Sequence, residues 1–354
     1  MAKTVVGLDF GSTSIRAAEV QDGGRPRATV VRSGEVPLPP GVVRDGDVLE
    51  MNTVADALKR LWQTAGFKTK DVVLGVGNHK VISRDLSVPS MPLNRIKETL
   101  AFQVQDLLPV PVDEALLDFY PVREEQTADG ATVHGLLIAA MKAPVEAKVA
   151  AVRLAGLNPV AVDLVPFALT RVLLHGESAV GTSALIDVGE STTIIVVAHA
   201  GVPQFVRIVP AGGDDVTRAI AERLGIEYTE AEALKRAVGL VAAPKSPEGF
   251  TSYQYETVLE IVFSVVSEML SGLRNTLTYY SSNGGRPIER IVLTGGVGRV
   301  EGFADALGEL TRIPVLSGDP LGAIAFSKTA SAAVDNDWKE LAVAVGLASG
   351  TVKR

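Results

Sequence analysis

Two short segments, half a chain apart, carry residue types that could bind a phosphorylated ligand. They are residues 5–16, VVGLDFGSTSIR, and residues 184–194, ALIDVGESTTI. Aligned on their glycines, the segments pair Gly11 with Gly189. The same alignment pairs Asp9 with Asp187, 178 residues further along a chain of 354 residues. Because this offset is close to half the chain length, the two segments indicate an internal repeat.

The residue types in both segments suit phosphate binding. Glycine permits close backbone approach, so successive N–H groups can converge on one anion, and hydroxyl side chains add donors. The hydroxyl residues are Ser12, Thr13, Ser14, Ser191 and Thr192. Asp9 and Asp187 would repel a phosphate directly, so we expect them to hold a Mg²⁺ ion through water. Arg16 could add a cationic contact to the phosphate. The alternative for both segments is that their turns only close two β-hairpins and bind no ligand.

A third glycine-rich segment follows a short apolar run. It is residues 291–303, IVLTGGVGRVEGF, with Gly295, Gly296 and Gly298 in its turn. The pattern predicts a strand, a turn and a helix over about residues 302–310, which would bring backbone N–H groups close to a ligand. Its spacing matches neither the P-loop nor the dinucleotide-binding fingerprint.

The composition is that of an α/β globular protein and excludes several function classes. The chain has 34 Lys and Arg against 41 Asp and Glu, a net charge of −7, and no cysteine. The missing cysteines exclude disulfides, thiol nucleophiles and Cys-based zinc sites. The acidic balance gives no electrostatic basis for binding nucleic acid, and the four scattered histidines form no metal-ligating pattern.

No apolar run approaches the ~18 residues of a membrane-spanning helix, and the N-terminus has no signal-peptide core. We therefore expect a cytoplasmic protein that does not insert into a membrane and that lies at the inner face of the cytoplasmic membrane only through partners.

The elements that must position these segments follow from periodicity and from turn residues. Each acidic segment reads as one β-hairpin. The region between them predicts strand 80–86, helix 93–108, strand 116–122, polar turn 124–132, strand 133–141 and helix 144–154. Apolar residues at helical spacing predict a long helix over residues 255–280. Three breaker residues in 241–252 predict a surface loop before it.

The order of the three glycine-containing segments resembles the actin-like ATPase superfamily, whose members carry two phosphate motifs and one adenosine motif. Within it, the rest of the chain is similar to the PilM family of type IV pilus assembly, which is related to the division protein FtsA. The resemblance implies an α/β actin-like ATPase fold, with two duplicated lobes around a nucleotide cleft. It also implies an inserted βαββα subdomain of the FtsA/PilM (SHS2) type.

The resemblance further implies a site for ATP or ADP with Mg²⁺. Its first phosphate loop contains Asp9, Gly11, Ser12, Thr13, Ser14 and Arg16, and its second contains Asp187, Gly189, Ser191 and Thr192. The adenosine motif contains Gly295, Gly296 and Gly298. In relatives, an acid and a lysine on a helix contact the ribose and adenine, which makes Glu232 and Lys235 candidates. The alternative for this pair is an exposed i, i+3 helical ion pair.

The same resemblance implies the division of the chain. Its parts are the first-lobe core (1–85), the inserted subdomain (86–157), the inter-lobe connection with part of the first lobe (158–180), the second-lobe core (181–214 and 285–320), subdomain 2B (215–284) and the return to the first lobe (321–354).

Hydrolysis of ATP needs a residue that positions or activates water. In polymerising actin relatives a Glu or Gln does this from the helix that connects the lobes, directly before a proline. Here the residue before Pro166 is Val165, which cannot do so. Asp163, two residues earlier, is the remaining candidate, although we expect it on a different helical face. We therefore expect slow or undetectable turnover.

By the resemblance, the partner is a PilN-like inner-membrane protein whose short cytoplasmic N-terminus binds a groove formed with the inserted subdomain. Other pilus assembly components and self-association also belong to this expectation. Two alternatives stay open. One is an FtsA-like division filament, and the other is a small-molecule kinase of the same superfamily, which would need a substrate pocket and an Asp base in the first lobe.

Overall fold

A computed structural model describes residues 4–21, 28–127, 130–238, 240, 251–327, 330 and 338–350. The strands in these ranges are β1 (Thr4–Phe10), β2 (Ser14–Gln21), β3 (Thr29–Pro37), β4 (Val43–Arg44), β5 (Asp47–Val48), β6 (Asp71–Val76), β7 (Val81–Pro89), β8 (Ala115–Thr127), β9 (Gly130–Met141), β10 (Asn158–Leu164), β11 (Thr182–Val188), β12 (Thr193–His199), β13 (Val202–Val209), β14 (Arg290–Thr294), β15 (Val315–Ser317) and β16 (Ala325–Phe326). The α-helices are α1 (Met51–Ala65), α2 (Leu93–Gln103), α3 (Lys142–Leu154), α4 (Val165–Leu173), α5 (Gly213–Leu224), α6 (Tyr228–Ala237), α7 (Ser252–Ser282), α8 (Phe303–Thr311) and α9 (Ala342–Ser349).

Two mixed sheets have the same strand order and directions. In the first, β3, β2 and β1 are antiparallel neighbours, β6 and β10 continue in parallel from β1, and β16 adds to the edge of β3. In the second, β13, β12 and β11 are antiparallel neighbours, and β14 and β15 continue in parallel from β11. The predicted repeat is therefore confirmed as a duplication of a whole lobe.

The first strand of each lobe is an apolar run with one acidic position. In β1 all residues from Val5 to Phe10 are buried except Asp9, and in β11 all are buried except Asp187. Such runs form strands because both faces of the sheet are covered by other elements. The acidic residue stands next to the last residue of its strand in both lobes, where the strand passes into the turn.

Helices cover both faces of both sheets. In the first lobe α1 and α3 pack on one face, and their buried residues share a core with Leu8 and Leu74. In the second lobe α5, α7 and α8 pack on the outer face. The helix predicted over 255–280 is confirmed as α7, which begins with a capping box between Thr251 and Gln254. Most of the predicted loop 241–252 lies outside the described residues.

The two lobes share helix α4. One face, with Ala168 and Val172, packs against α9 and the first sheet. The other face, with Val165 and Leu169, packs against β11 and β12 of the second sheet. Helix α4 is therefore in contact with both lobes.

Helix α9 packs on β1 at very short range. A Cβ atom at Gly7 would lie 1.9 Å from the carbonyl oxygen of Ala344, and one at Gly346 would lie 2.2 Å from that of Ala168. Only glycine fits these contacts because real Cβ atoms do not approach a carbonyl so closely. The segment near the C-terminus thus completes the core of the first lobe.

A three-stranded sheet with the order β7-β9-β8 projects from the first lobe, and α2 covers it. Its small core contains Val88, Ile96, Leu100, Phe119 and Leu137. The order β7, α2, β8, β9, α3 matches the predicted βαββα run. The last helix, α3, packs on α1, and its Val145 also shares a core with Ile138 and Ala140 of β9.

Two predicted boundaries in this region are wrong. The predicted helix 93–108 ends at Gln103, and a separate 3₁₀ turn follows at Gln105–Leu107, before the prolines at 109 and 111. The polar segment predicted as a turn is mostly strand, because Glu124 and Glu125 pair with Val133 and Thr132 in the hairpin of β8 and β9. The end of this hairpin is made of polar residues, so its sequence resembles a turn although its backbone is paired as strand.

None of the helices in the described ranges combines the length and apolar character that crossing a lipid bilayer demands.

Candidate functional site

The turns of the two repeated hairpins have the same internal hydrogen bond. The N–H of Gly11 donates to the carbonyl of Ser14 at 3.0 Å, and the N–H of Gly189 donates to the carbonyl of Thr192 at 2.9 Å. The two turns are thus alike in backbone as well as in sequence. We call residues 11–14 and 189–192, for which the sequence predicts phosphate binding, the first and second phosphate loops.

The two phosphate loops meet across the gap between the lobes. The hydroxyl oxygens of Ser12 and Ser191 lie 3.4 Å apart. The hydroxyl of Thr13 donates to Oε2 of Glu190 at 3.3 Å. Residues that are about 178 positions apart in the chain therefore face a single space, as the repeat predicts.

The N-terminus of α5 fixes the second phosphate loop. The N–H of Gly213 donates to the carbonyl of Gly189 at 3.1 Å, and the N–H of Asp214 donates to that of Glu190 at 2.7 Å. A Cβ atom at Gly212 would lie 2.3 Å from the carbonyl oxygen of Glu190. Glycine at position 212 is therefore required for this close approach.

The space between the lobes is a cleft of about 750 Å³, within the range that small-molecule ligands occupy. Thirteen of the residues predicted for the nucleotide site line it: Asp9, Gly11, Ser12, Thr13, Arg16, Asp187, Gly189, Ser191, Thr192, Glu232, Lys235, Gly295 and Gly296.

Two predicted residues do not line the cleft. Ser14 begins β2, is 6% exposed, and its hydroxyl has no hydrogen-bond partner among the described residues. Gly298 lies against the side chain of Leu293. Their neighbours Thr13 and Gly296 do line the cleft. The sequence motifs thus predict which segments border the cleft, but they do not predict which residues of each segment line it.

Asp9 and Asp187 lie partly exposed at the floor of the cleft. Burial raises the pKa of both carboxyl groups. For Asp187 the negative charge of Asp9 adds to this effect and the pKa reaches about 7, while Arg16 opposes the rise. Two carboxylates that repel each other in a poorly hydrated place are stabilised by a cation between them.

The two carboxylates would suit a Mg²⁺ ion whose remaining ligands are water molecules and phosphate oxygens. Among the described residues, no three His, Cys, Asp or Glu side chains come together as a metal site. Mg²⁺ usually keeps several water molecules and takes only one or two carboxylates, with phosphate oxygens as further ligands. Asp9 and Asp187 are the residues that could hold it in this way.

Arg16 is already paired within the protein. Its Nη2 atom lies 2.7 Å from Oε2 of Glu340 and 3.2 Å from Oε1 of Glu35. Glu340 lies in the 3₁₀ turn Trp338–Leu341, which directly precedes α9, so this pair joins the first hairpin to the segment that leads into α9. The guanidinium lines the cleft, but its charge is largely compensated.

Glu232 and Lys235 form the i, i+3 pair that the sequence allowed as an alternative, and they also line the cleft. Their charged atoms lie 2.5 Å apart on α6. Nζ of Lys235 donates to the carbonyl of Gly213 at 3.1 Å and to the hydroxyl of Thr217 at 2.8 Å. Burial of the Glu232 carboxylate acts to raise its pKa, but hydrogen bonds from Lys235 and Thr217 outweigh this effect, and the pKa is lowered. The pair therefore ties α6 to α5 at the wall of the cleft.

Asp163 is not where the sequence placed it. It lies on β10 rather than on a helix, because α4 begins only at Val165. Its Oδ2 accepts a hydrogen bond from Arg171 at 2.9 Å, and its Oδ1 accepts the N–H of Leu164 at 2.8 Å. It does not line the cleft, whereas Val165 does.

The sequence reasoning missed several charged residues of the cleft, among them Glu190 and Lys148. Glu190 stands inside the second phosphate loop, and its position between Gly189 and Ser191 was a signal for it. Lys148 comes from α3, and nothing in the sequence separates it from a solvated helical lysine. Both line the cleft.

Comparison with known proteins first defines the class. MreB5 of Spiroplasma citri bound to ADP superposes with a TM-score of 0.51 over 97% of this chain and 94% of that one, at 13% identity. FtsA of Bacillus subtilis is 22% identical over 339 residues, which cover 84% of this chain and 74% of that protein. Together with the duplicated lobes and the cleft, this similarity shows the fold of the actin-like ATPases.

The family follows from two closer matches. The model of the family described as type IV pilus assembly protein PilM matches residues 7–351. A structure titled PilM-PilN type IV pilus biogenesis complex superposes with a TM-score of 0.82, at 27% identity, over 97% of each chain. The chain belongs to the PilM family, and the resemblance inferred from the sequence is confirmed.

Proposed function

We propose that this chain is a nucleotide-binding protein of type IV pilus assembly. It binds ATP or ADP with Mg²⁺ in the cleft between its lobes, and it binds the cytoplasmic N-terminus of a PilN-like inner-membrane protein. It thus acts in the cytoplasm, at the inner face of the membrane. The observation that carries the nucleotide site is the meeting of two matched phosphate loops across one cleft.

Different residues of the cleft would bind the phosphates, the adenosine and the Mg²⁺ ion of the nucleotide. Backbone N–H groups of the two phosphate loops, with the hydroxyls of Ser12 and Ser191, would donate to phosphate oxygens. Gly296 leaves open space where a side chain would stand, which suits an adenosine against the third glycine segment. When bound, Mg²⁺ neutralises phosphate charge, and Asp9 and Asp187 would orient its water ligands.

We propose that hydrolysis is slow or absent. A water molecule in the cleft would meet Val165 at the place where polymerising relatives carry a Glu or Gln, and valine neither orients water nor accepts a proton. The carboxylate of Asp163 is held by Arg171 outside the cleft. The bound nucleotide therefore serves to set the conformation of the protein.

The proposed partner is inferred from the family to which the chain belongs. The similar structure is named for a complex with PilN. We propose that this chain binds the corresponding peptide, and that the inserted subdomain of β7, β8, β9 and α2 contributes to the groove. Nucleotide occupancy would then influence peptide binding through α4, which contacts both lobes. Other pilus assembly components and self-association belong to the same proposal.

Peptide and nucleotide titrations of the full chain test this function. Calorimetry should show that the wild type binds ADP with Mg²⁺ and binds a PilN N-terminal peptide. Asp9→Asn should weaken Mg²⁺-dependent nucleotide binding by at least about tenfold, while Asp56→Asn, an exposed residue of α1, should leave it unchanged. Absence of nucleotide binding in the wild type would refute the site. Filaments in Mg·ATP without peptide binding would favour an FtsA-like role instead.

A further inference from the structure

Lys148 is a buried cation at the floor of the cleft. It lies on α3, is 4% exposed, and lines the same space as Asp9 and Asp187. Its Nζ atom donates to the carbonyl of Gly75 at 3.1 Å and lies 5.4 Å from the centre of the Phe10 ring. The ammonium group is therefore held in place by one hydrogen bond and by an aromatic face.

The ammonium group lacks a full set of partners. It has three N–H donors, and the contact with Gly75 uses one of them. Within the described part of the chain, no carboxylate oxygen lies within 4.0 Å of Nζ. Asp9 and Asp47 act on it only from a greater distance, and burial lowers its pKa to about 8. A buried charge without a close counterion is costly, so an anion that entered the cleft beside it would be stabilised.

Two other cations of the cleft, Arg16 and Lys235, differ in this respect. Arg16 is paired with Glu35 and Glu340, and Lys235 is paired with Glu232. Their charges are compensated within the protein. Lys148 instead presents unused donors at the level of the acidic residues that precede the phosphate loops. An anion that enters the cleft there gains a charge-assisted hydrogen bond.

We propose that Lys148 contacts the phosphate oxygens of the bound nucleotide and supplies a fixed positive charge that lowers the dependence of binding on Mg²⁺. This inference rests on the proposed nucleotide site. It adds a residue from α3, outside the three glycine segments, to the groups that hold the phosphates. A consequence is that ADP binds measurably even when divalent cations are removed.

The test compares Lys148→Met with wild type. Methionine keeps the unbranched stem along Phe10 and removes the charge. Lys142→Met is the matched control, because Lys142 lies on the same helix and donates to the carbonyl of Asp113 outside the cleft. Calorimetric titrations use ADP and ATP, each with Mg²⁺ and with EDTA, and adenosine serves as the ligand without phosphate.

We expect Lys148→Met to raise the Kd of ADP at least tenfold with Mg²⁺, which corresponds to about 1.4 kcal/mol. With EDTA the wild type should still bind ADP and the variant should not. The Kd of adenosine should change less than twofold, and the control variant should behave as wild type. Circular dichroism verifies folding, and Lys148→Gln replaces the methionine variant if that variant does not fold.

Three results would overturn the inference. One is an unchanged Kd of ADP in the variant. The second is an equal loss of adenosine binding, which would mean that Lys148 only shapes the cleft. The third is complete loss of ADP binding by the wild type in EDTA. If the wild type bound neither ADP nor adenosine under any condition, the proposed function itself would fail, so the two failures are distinct.

Discussion

At the scale of single residues, the cleft brings several carboxylates close to the phosphate loops. Asp9 and Asp187 can be offset by a metal ion, but Glu190 stands inside the second loop and accepts a hydrogen bond from the first. Burial raises the pKa of Glu190, and Asp214 and Glu232 add to this rise, while the hydrogen bond from Thr13 opposes it. This carboxylate would compete with the phosphate of a bound nucleotide for the same donors.

Glu190→Gln should therefore strengthen nucleotide binding. The amide oxygen still accepts from Thr13, while the negative charge that repels phosphate is lost. We expect the Kd of ADP to fall about threefold or more in calorimetry, an energy of roughly 0.6 kcal/mol. Glu222→Gln, an exposed residue of α5, is the control. Weaker binding by the variant would show instead that the carboxylate acts through the metal ion.

Lys148 also predicts how stability changes with pH. Its pKa is about 8 in the folded protein and about 10.5 in the unfolded chain, so between these values the unfolded state binds more protons. The free energy of unfolding should then rise with pH from about 8 to 10.5 through this group, by no more than about 3 kcal/mol. Urea unfolding of wild type and Lys148→Met across this range should show the extra rise only in the wild type. Parallel curves for the two proteins would contradict the assignment.

At the scale of elements, sequence patterns predicted those parts of the site that depend on local chain geometry. Both hairpins, their offset and the long helix α7 follow from apolar runs and turn residues. Lys148 could not be predicted, because α3 brings it to the cleft only through packing on α1. Asp163 was misplaced because residues 162–169 are apolar enough for either a strand or a helix, and the strand pairs with β6 up to Leu164.

The contact of α9 with β1 gives a test at this scale. Gly7→Ala would place a Cβ atom 1.9 Å from the carbonyl oxygen of Ala344, so the helix or the strand must move. We expect a loss of roughly 1–3 kcal/mol or more in urea unfolding. Gly272→Ala, in the exposed and open part of α7, should instead raise stability by up to about 1 kcal/mol. Equal stability of the Gly7 variant and the wild type would show that α9 does not dock as described.

At the scale of the whole molecule, the two lobes are joined by α4 and by the facing phosphate loops. Under the proposed function, a ligand that bridges the loops would change the relation between the lobes, and a peptide bound with the inserted subdomain would respond to that change. Such coupling between two sites is a free energy shared by both ligands. It does not require that the nucleotide be hydrolysed.

Reciprocity makes this coupling measurable. If saturating Mg·ADP changes the Kd of the PilN peptide by some factor, saturating peptide must change the Kd of Mg·ADP by the same factor. We expect a factor of about 5 or more, measured by calorimetry in both directions. Asp9→Asn should reduce both factors toward one. A peptide affinity that is insensitive to nucleotide would mean that the two sites are independent.

The packing of α9 against β1 has a consequence for synthesis of the chain. The first strand of the protein receives its covering helix only from residues 342–349, more than 330 residues later. During translation the first lobe therefore exposes an apolar sheet face until residues 342–349 have left the ribosome. Nascent chains that expose such surface are prone to aggregation. The first lobe is thus exposed to aggregation until residues 342–349 can dock on β1.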